Sequence, residues 1–247
     1  MNDINWCIEY LKNINNVKQD IRMPNQELFR ALENITMPIN LSDEFYLRQD
    51  KVLQEILSFK QIINAKDLFI DNERITLYEG DITLIKASAI VNACNNKLLG
   101  CFVPGHHCID NAIHSFAGLQ VRRDLMKIME EQGYDEPSGK CKVTLGYNLP
   151  SSYIFHTVGP IYSNTEQDEI DLKNCYLSCL KEAYNMKLET IVFCAISTGI
   201  YGFPFEKAAN IAIKTVKDFL KEHQNIKAVF NLFNHDNYLI YKKILEK

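Results

Sequence analysis

The chain has 247 residues, of which 47% are hydrophobic and 23% charged, and this excludes a disordered chain or a small disulfide-stapled protein. Its 27 basic and 31 acidic residues give a net charge of −4, which disfavours a general nucleic-acid-binding protein. The longest apolar run, residues 191–196, is far shorter than a membrane helix, and the N-terminus lacks the apolar stretch of a secretory signal. We therefore expect a cytoplasmic protein that binds neither nucleic acid nor membranes.

The pattern of the first third of the chain predicts helices. Its first glycine is Gly80, and three apolar stripes of helical spacing follow Asp3, Pro24 and Ser42, which are residue types suited to helix starts. The predicted domains are a helical N-terminal extension, residues 1–70, and a second domain, residues 71–247.

From about residue 74, short apolar strands alternate with helical patterns. This alternation predicts an α/β fold with a largely parallel, helix-covered sheet, in which ligands bind at the carboxyl ends of the strands. The predicted strands are residues 74–78, 89–93, 141–147, 153–158, 191–195 and 228–233. The predicted helices are residues 109–131, 169–186, 205–223 and 238–245.

Two polar stretches follow the first two of these strands. Asp81, in the sequence Gly-Asp-Ile-Thr, can accept a hydrogen bond from an adenine amino group or cap a turn. The amides of Asn92 and Asn95 can bond sugar hydroxyls, although asparagine also tolerates left-handed turns. The local sequence leaves both alternatives open at each position.

Two cysteines and two histidines crowd the loop before the helix predicted from residue 109. Zinc takes thiolate and imidazole ligands, and three protein ligands leave a fourth position for water or substrate. We predict that Cys101, His106 and Cys108 hold one zinc ion. His107 stays ambiguous because its neighbours force it to the opposite side of the loop. A metal-free loop and a redox pair are the alternatives.

The last stretch, residues 196–204, lies between a strand and a helix and contains small residues and two glycines. Such a loop lets backbone N–H groups turn toward an anion near a helix N-terminus. The Gly-Lys pair of a Walker loop and the third glycine of a dinucleotide fingerprint are absent. The pattern favours a phosphate-binding loop of another kind.

Taken in order, these stretches resemble the macrodomain family of ADP-ribose-binding modules. The loop from Cys101 to Cys108 replaces that family's usual run of glycines, and this is similar to the zinc-dependent macrodomains, microbial enzymes with a helical N-terminal extension. The resemblance implies a macrodomain-type three-layer α/β/α fold with a mostly parallel central sheet, and a protein ADP-ribosylhydrolase of the glycosidase type. The matching segments are residues 80–83, 89–95, 146–150, 156–160 and 196–204.

The resemblance also implies roles for single residues. Asp110 and Asn95 are the implied catalytic residues, with Asp110 orienting a water or taking its proton, and His114 is an implied structural residue. The implied substrate carries mono-ADP-ribose on an acidic side chain, and a lipoyl-carrier protein is the implied target. The implied ADP-ribose-binding residues are Asp81, Ile82, Asn92, Asn95, Cys108, Ile109, Asp110, Ser197, Thr198, Gly199, Ile200, Tyr201 and Phe233.

The main alternative is a non-catalytic reader that binds ADP-ribosylated proteins and uses zinc only as a structural clip. A structural zinc usually has four protein ligands, so this alternative needs one more than the three predicted. A zinc nucleoside deaminase is disfavoured because its H-x-E and P-C-x-x-C motifs are absent. The sequence leaves open whether zinc activates water or coordinates the ribose.

Overall fold

The computed structural model describes residues 2–246, and no helix in that range is long and apolar enough to cross a membrane. The helices are α1 (Asp3–Ile14), α2 (Asn25–Ile35), α3 (Asp43–Ser58), α4 (Ile109–Ala117), α5 (Leu119–Gln132), α6 (Glu166–Asn185), α7 (Phe205–Glu222) and α8 (His235–Leu245). The strands are β1 (Ile63–Asn64), β2 (Ile75–Glu79), β3 (Ile85–Lys86), β4 (Ala89–Cys94), β5 (Cys141–Leu145), β6 (Tyr153–Val158), β7 (Thr190–Phe193) and β8 (Lys227–Leu232).

The three N-terminal helices begin where the sequence predicts them. The Ser42 hydroxyl accepts a hydrogen bond from the Phe45 N–H at 3.2 Å and so caps α3. The extension is helical only to Ser58, because the short strand β1 follows and pairs with β3. The helices bury an apolar cluster that is separate from the core of the sheet and also takes in Leu119 of α5. Its members from α1 to α3 include Cys7, Leu11, Phe29, Leu32, Phe45 and Leu53.

Six strands form the central sheet in the order β2-β8-β7-β4-β6-β5. All neighbours are parallel except β5, which runs antiparallel to β6. The central strands β4, β7 and β8 are buried almost throughout, as their apolar residues predict. The predicted α/β fold with a mostly parallel sheet and N-terminal helices is confirmed. Its parallel strands end at one edge, where the loops that follow them meet.

The single helix predicted over residues 109–131 is wrong, because the structure divides it into α4 and α5. Gly118 lies between them with a φ of +98°, a conformation that favours glycine. A Cβ at this position would lie 2.5 Å from Gln49 Nε2, so glycine also permits the close approach of α3. Apolar residues at helical spacing continue on both sides of Gly118, so the sequence pattern alone does not reveal the break.

Glutamine side chains join α3 to α5 and to the segment between β5 and β6. The Gln49 side chain is fully buried, accepts from the Leu119 N–H at 3.0 Å and donates to Gln120 Oε1 at 2.6 Å. Gln54 lies on the same helix but is exposed, and it donates to the Asn148 carbonyl at 3.1 Å. The two glutamines thus bridge the same interface at different depths.

A buried arginine joins α5 to the end of α2. Arg122 of α5 donates to the carbonyls of Glu33 and Asn34 at 3.0 and 3.2 Å, and also to that of Thr36. Its guanidinium also lies 4.5 Å from the ring centroid of Phe102. Burial lowers the pKa of Arg122 to about 10, which still leaves it charged at neutral pH.

Gln49→Ala should lower the free energy of unfolding by about 2 to 3 kcal/mol, because it leaves the buried Leu119 N–H without its acceptor. Gln54→Ala should cost about 1 kcal/mol or less, because water can replace an exposed hydrogen bond. Urea unfolding of both variants beside the wild type measures the difference. Equal losses would show that burial of Gln49 does not set the stability of this interface.

Candidate active site

A cleft of about 810 Å³ opens at the carboxyl ends of the parallel strands. Every predicted site residue except Asn92 lines it. A second cavity, of about 890 Å³, lies by Lys66 and Glu189 and contains none of the predicted residues. The predicted residues in the first cleft are Asp81, Ile82, Asn95, Cys101, His106, Cys108, Ile109, Asp110, Ser197, Thr198, Gly199, Ile200, Tyr201 and Phe233.

The predicted metal ligands lie together at one end of the cleft. The ligand atoms of Cys101, His106 and Cys108 are all within 4.8 Å of one another, and Cys101 Sγ is 3.3 Å from His106 Nδ1. Cys108 caps α4, with its Sγ accepting from the Asn111 N–H at 3.4 Å. Burial raises the pKa of the Cys108 thiol to about 11, and a bound cation would lower it by stabilising the thiolate. His107 is exposed and outside this group.

Two glycines and an asparagine from α2 shape the metal-ligand loop, residues 101–108. Gly105 has a φ of +64°, and its N–H donates to Asn34 Oδ1 at 3.0 Å. Gly100 precedes the loop with a φ of +87°, and a Cβ there would lie 3.0 Å from both Arg122 Nη2 and His114 Nδ1. The N-terminal extension therefore takes part in holding this loop.

Asp110 is held by a chain of hydrogen bonds among buried side chains of three strands of the sheet. Asn92 Nδ2 lies 2.8 Å from Asp110 Oδ1 and 3.2 Å from His156 Nδ1. Because the amide donates to both, the ring proton of His156 is assigned to Nε2, which lies 2.9 Å from Thr144 Oγ1. Burial raises the pKa of Asp110 to about 6, against the opposing effect of the Asn92 hydrogen bond.

The two asparagines expected at the ribose lie at different depths. Asn92 is fully buried in β4 and does not line the cleft. Its side chain instead hydrogen-bonds to Asp110, which does. Asn95 lines the cleft, donates to the Gly100 carbonyl at 3.2 Å and accepts from the Lys97 N–H at 3.0 Å. The left-handed turn considered for these positions occurs at neither, because neither has a positive φ.

The predicted anion loop, residues 197–201, leaves its backbone donors free. Within residues 2–246, none of its five N–H groups donates to another protein group. Ser197 has a φ of +64°, and the Tyr201 carbonyl accepts from the Tyr162 N–H at 2.9 Å. A Cβ on Gly159 would lie 2.1 Å from Ser197 Oγ, so glycine there makes room for the loop. Consecutive free N–H groups suit a phosphate.

Asp81 and Phe233 line the part of the cleft that follows β2 and β8. Asp81 Oδ1 accepts from the N–H and hydroxyl of Thr83 at 2.9 and 2.7 Å, so this oxygen does cap a turn. Phe233 is 83% exposed, which leaves its ring free to stack on a planar ligand. Ile82 is buried between them and the core.

Sequence reasoning missed several lining residues. Arg30 comes from α2, and no local pattern in a helical stripe distinguishes it from a solvated arginine. Phe116 lies on the cleft side of α4 and reads as a core residue of an amphipathic helix. The other missed residues include Phe102, Gly159, Asn231 and Asn237.

Comparisons with known proteins agree with this fold. The Macro domain family matches residues 91–212. A "Protein-ADP-ribose hydrolase" of Staphylococcus aureus strain MRSA252 is 44% identical over 226 residues, 90% of this chain and 85% of the relative. One of Treponema medium is 42% identical and covers 97% of both chains. The crystal structure of a Trypanosoma brucei macrodomain with ADP-ribose has a TM-score of 0.69 at 29% identity, over 92% of this chain and 97% of that one. The chain belongs to the macrodomain family.

The buried histidines predict a pH dependence of folding. Burial lowers the pKa of His156 to about 3, and burial also holds the pKa of His114, whose ring centroid is 5.9 Å away, well below its usual range. Because unfolded histidine titrates near 6.5, the stability from neutral His156 is complete above that pH and declines as the pH falls toward 3. Asn92 lies between Asp110 and the His156 ring and hydrogen-bonds to both.

His156→Gln should therefore flatten the pH dependence of stability. Between about pH 6 and pH 4, the free energy of unfolding of the wild type should fall by about 1.4 kcal/mol per pH unit more than that of this variant. The reason is that the variant takes up one proton fewer on unfolding. Urea unfolding at several pH values measures both slopes. The surface variant His235→Gln is the control and should follow the wild type. Equal slopes in all three proteins would contradict a neutral buried His156.

Proposed function

We propose that this protein is a zinc-dependent protein-ADP-ribose hydrolase that removes mono-ADP-ribose from an acidic side chain of a target protein. One observation carries the proposal: the metal-ligand group and the carboxylate of Asp110 line the same cleft as the free N–H groups of residues 197–201. Relatives 44% and 42% identical bear the name protein-ADP-ribose hydrolase, which supports an enzyme over a reader.

The lining suits the parts of ADP-ribose in order. The adenine would lie beside Asp81 with its face on the exposed ring of Phe233. The diphosphate would accept hydrogen bonds from residues 197–201, and the distal ribose would then lie beside Asn95 and Asp110. A cleft of about 810 Å³ lies within the usual size range of small-molecule sites.

The donor set fits zinc. Two thiolates and one imidazole are ligands that zinc prefers, and the atoms of Cys101, His106 and Cys108 are close enough to share one ion. Among the described residues no fourth ligand joins this group, and three protein ligands are typical of a catalytic zinc. When bound, zinc supplies Lewis-acid chemistry at the sugar, by activating water or by polarising an oxygen.

Asp110 supplies the base in this proposal. Hydrolysis adds the oxygen of a water to the anomeric carbon of the distal ribose, and the bond from that carbon to the target's carboxyl oxygen breaks. Asp110 takes a proton of the water, and the target side chain leaves as a carboxylate. Asn92, held in turn by His156, fixes the position of the Asp110 carboxylate. Asn95 holds the Gly100 carbonyl at the start of the metal-ligand loop.

The target and the setting are further parts of the proposal. The resemblance to zinc-dependent macrodomains makes a lipoyl-carrier protein our proposed target. The extension, residues 1–70, reaches the cleft through α2 and is a candidate surface for that target, while residues 71–247 form the proposed catalytic domain. All eight cysteines are free thiols, which supports a reducing compartment such as the cytoplasm.

His106→Ala should remove both the bound zinc and the hydrolysis, because two remaining ligands hold the ion too weakly. His107→Ala is the matched control for zinc binding, since this neighbouring histidine also lines the cleft but lies outside the ligand group, so zinc content should stay at the wild-type level. Zinc content by mass spectrometry, and ADP-ribose release from a protein modified on glutamate, measure both effects. Normal turnover by a metal-free His106→Ala protein would exclude a zinc-dependent reaction. Zinc-loaded wild type that binds ADP-ribose but releases none would establish the reader instead.

Asp110→Asn should separate catalysis from binding. The amide keeps the size of the side chain but cannot take a proton, so turnover should fall by about 10²- to 10⁴-fold. Zinc content should stay at the wild-type level, and ADP-ribose should still raise the melting temperature. Turnover equal to that of the wild type would remove Asp110 from the proposed mechanism.

A further inference from the structure

Arg30 brings a positive charge from the N-terminal extension into the cleft. It lies on α2, and it is the only arginine or lysine among the described lining residues. Its position is at the metal end, because its Nη2 donates to Asn111 Oδ1 at 2.8 Å and its guanidinium lies 5.3 Å from the ring centroid of Phe116. None of its hydrogen bonds or ion pairs reaches the anion loop.

Arg30 forms no ion pair within residues 2–246. Burial raises the pKa of Glu33 on the same helix, and the charges of Arg122 and Arg30 oppose this larger effect. Arg30 Nη2 donates to Asn111, whereas Nη1 makes no hydrogen bond among the described residues and is not buried, so this donor is open to a ligand. An anion bound there would gain a charge-assisted hydrogen bond. Arg122 differs, because its Nη1 donates to backbone carbonyls, although its Nε, like that of Arg30, is buried without a partner.

Arg30 is also fixed relative to the metal-ligand loop. Asn34, one helical turn further along α2, bonds the Gly105 N–H at 3.0 Å and the Ser115 hydroxyl at 2.8 Å. The Asn111 side chain that accepts from Arg30 also donates to the Val103 carbonyl at 3.0 Å. The guanidinium, the metal-ligand loop and the start of α4 thus form one connected unit.

We propose that Arg30 binds the carboxylate that leaves when ADP-ribose is removed from an acidic side chain, an inference that rests on the proposed function. As the bond between the anomeric carbon and the carboxyl oxygen breaks, the electron pair stays on that oxygen. The negative charge there grows toward the transition state, and a preorganised guanidinium stabilises it. In this way Arg30 favours an acidic side chain as the leaving group. The N-terminal extension then contributes directly to the reaction.

Arg30→Met removes the charge and keeps much of the side-chain volume. Its kcat for release of ADP-ribose from a glutamate-modified protein should fall about 10- to 100-fold, the usual effect of one lost charge-assisted hydrogen bond, while KM changes little. Zinc content and the affinity for free ADP-ribose should match the wild type. Arg30→Lys should recover part of the rate. Arg22→Met, an exposed arginine of the same extension outside the cleft, is the matched control.

Each other result overturns the inference in a distinct way. An unchanged kcat for Arg30→Met would show that the charge does not act on the leaving group. A loss of zinc or of ADP-ribose affinity in parallel with kcat would show that Arg30 only supports the loop through Asn111. Failure of the wild type to release ADP-ribose would overturn the proposed function, and this inference with it.

Discussion

The buried guanidinium of Arg122 joins the parts of this molecule that make the site. A buried charge needs hydrogen-bond acceptors, and here carbonyls at the C-terminal end of α2, where the helix dipole is negative, accept from its Nη1, although its Nε is buried without a partner. The other side of the group packs on Phe102 of the metal-ligand loop and leaves space only for glycine at position 100. The N-terminal helices, α5 and the loop are consequently one structural unit, and both the metal ligands and Arg30 take their positions from it.

The two ends of the cleft are lined by different kinds of group. At the anion loop, neutral backbone N–H groups face the ligand, and their partial charges do not change during a reaction. At the other end lie the groups that can change charge or carry it, namely Arg30, Asp110 and the metal ligands. The chain Thr144–His156–Asn92 then holds Asp110 from the interior of the sheet. Under the proposed function, this division would let a nucleotide bind at the anion loop without altering the groups at the other end.

The sequence predicts the parts of this structure that depend on local signals. Ser42 marks the start of α3 because capping is local, and the Cys101, His106 and Cys108 set is recognisable because its chemistry lies within one short loop. Features set by tertiary contacts were missed. The break at Gly118 depends on the approach of Gln49 from α3, and the depth of Asn92 depends on which face of β4 the cleft uses. Arg30 enters the site by helix packing, which no pattern in its own segment encodes.

The contacts that hold the metal-ligand loop come from a distant part of the sequence. Asn34 and Gly105 are 71 residues apart, and Arg30 and Asn111 are 81 apart. Contacts of such separation carry a loop-closure entropy that other interactions of the fold must offset. During synthesis, α2 leaves the ribosome well before the loop that it will hold. The three ligands are neighbours in sequence, yet the loop that carries them takes its final form when α2 packs against α4. Tight metal uptake would then report that this packing has formed.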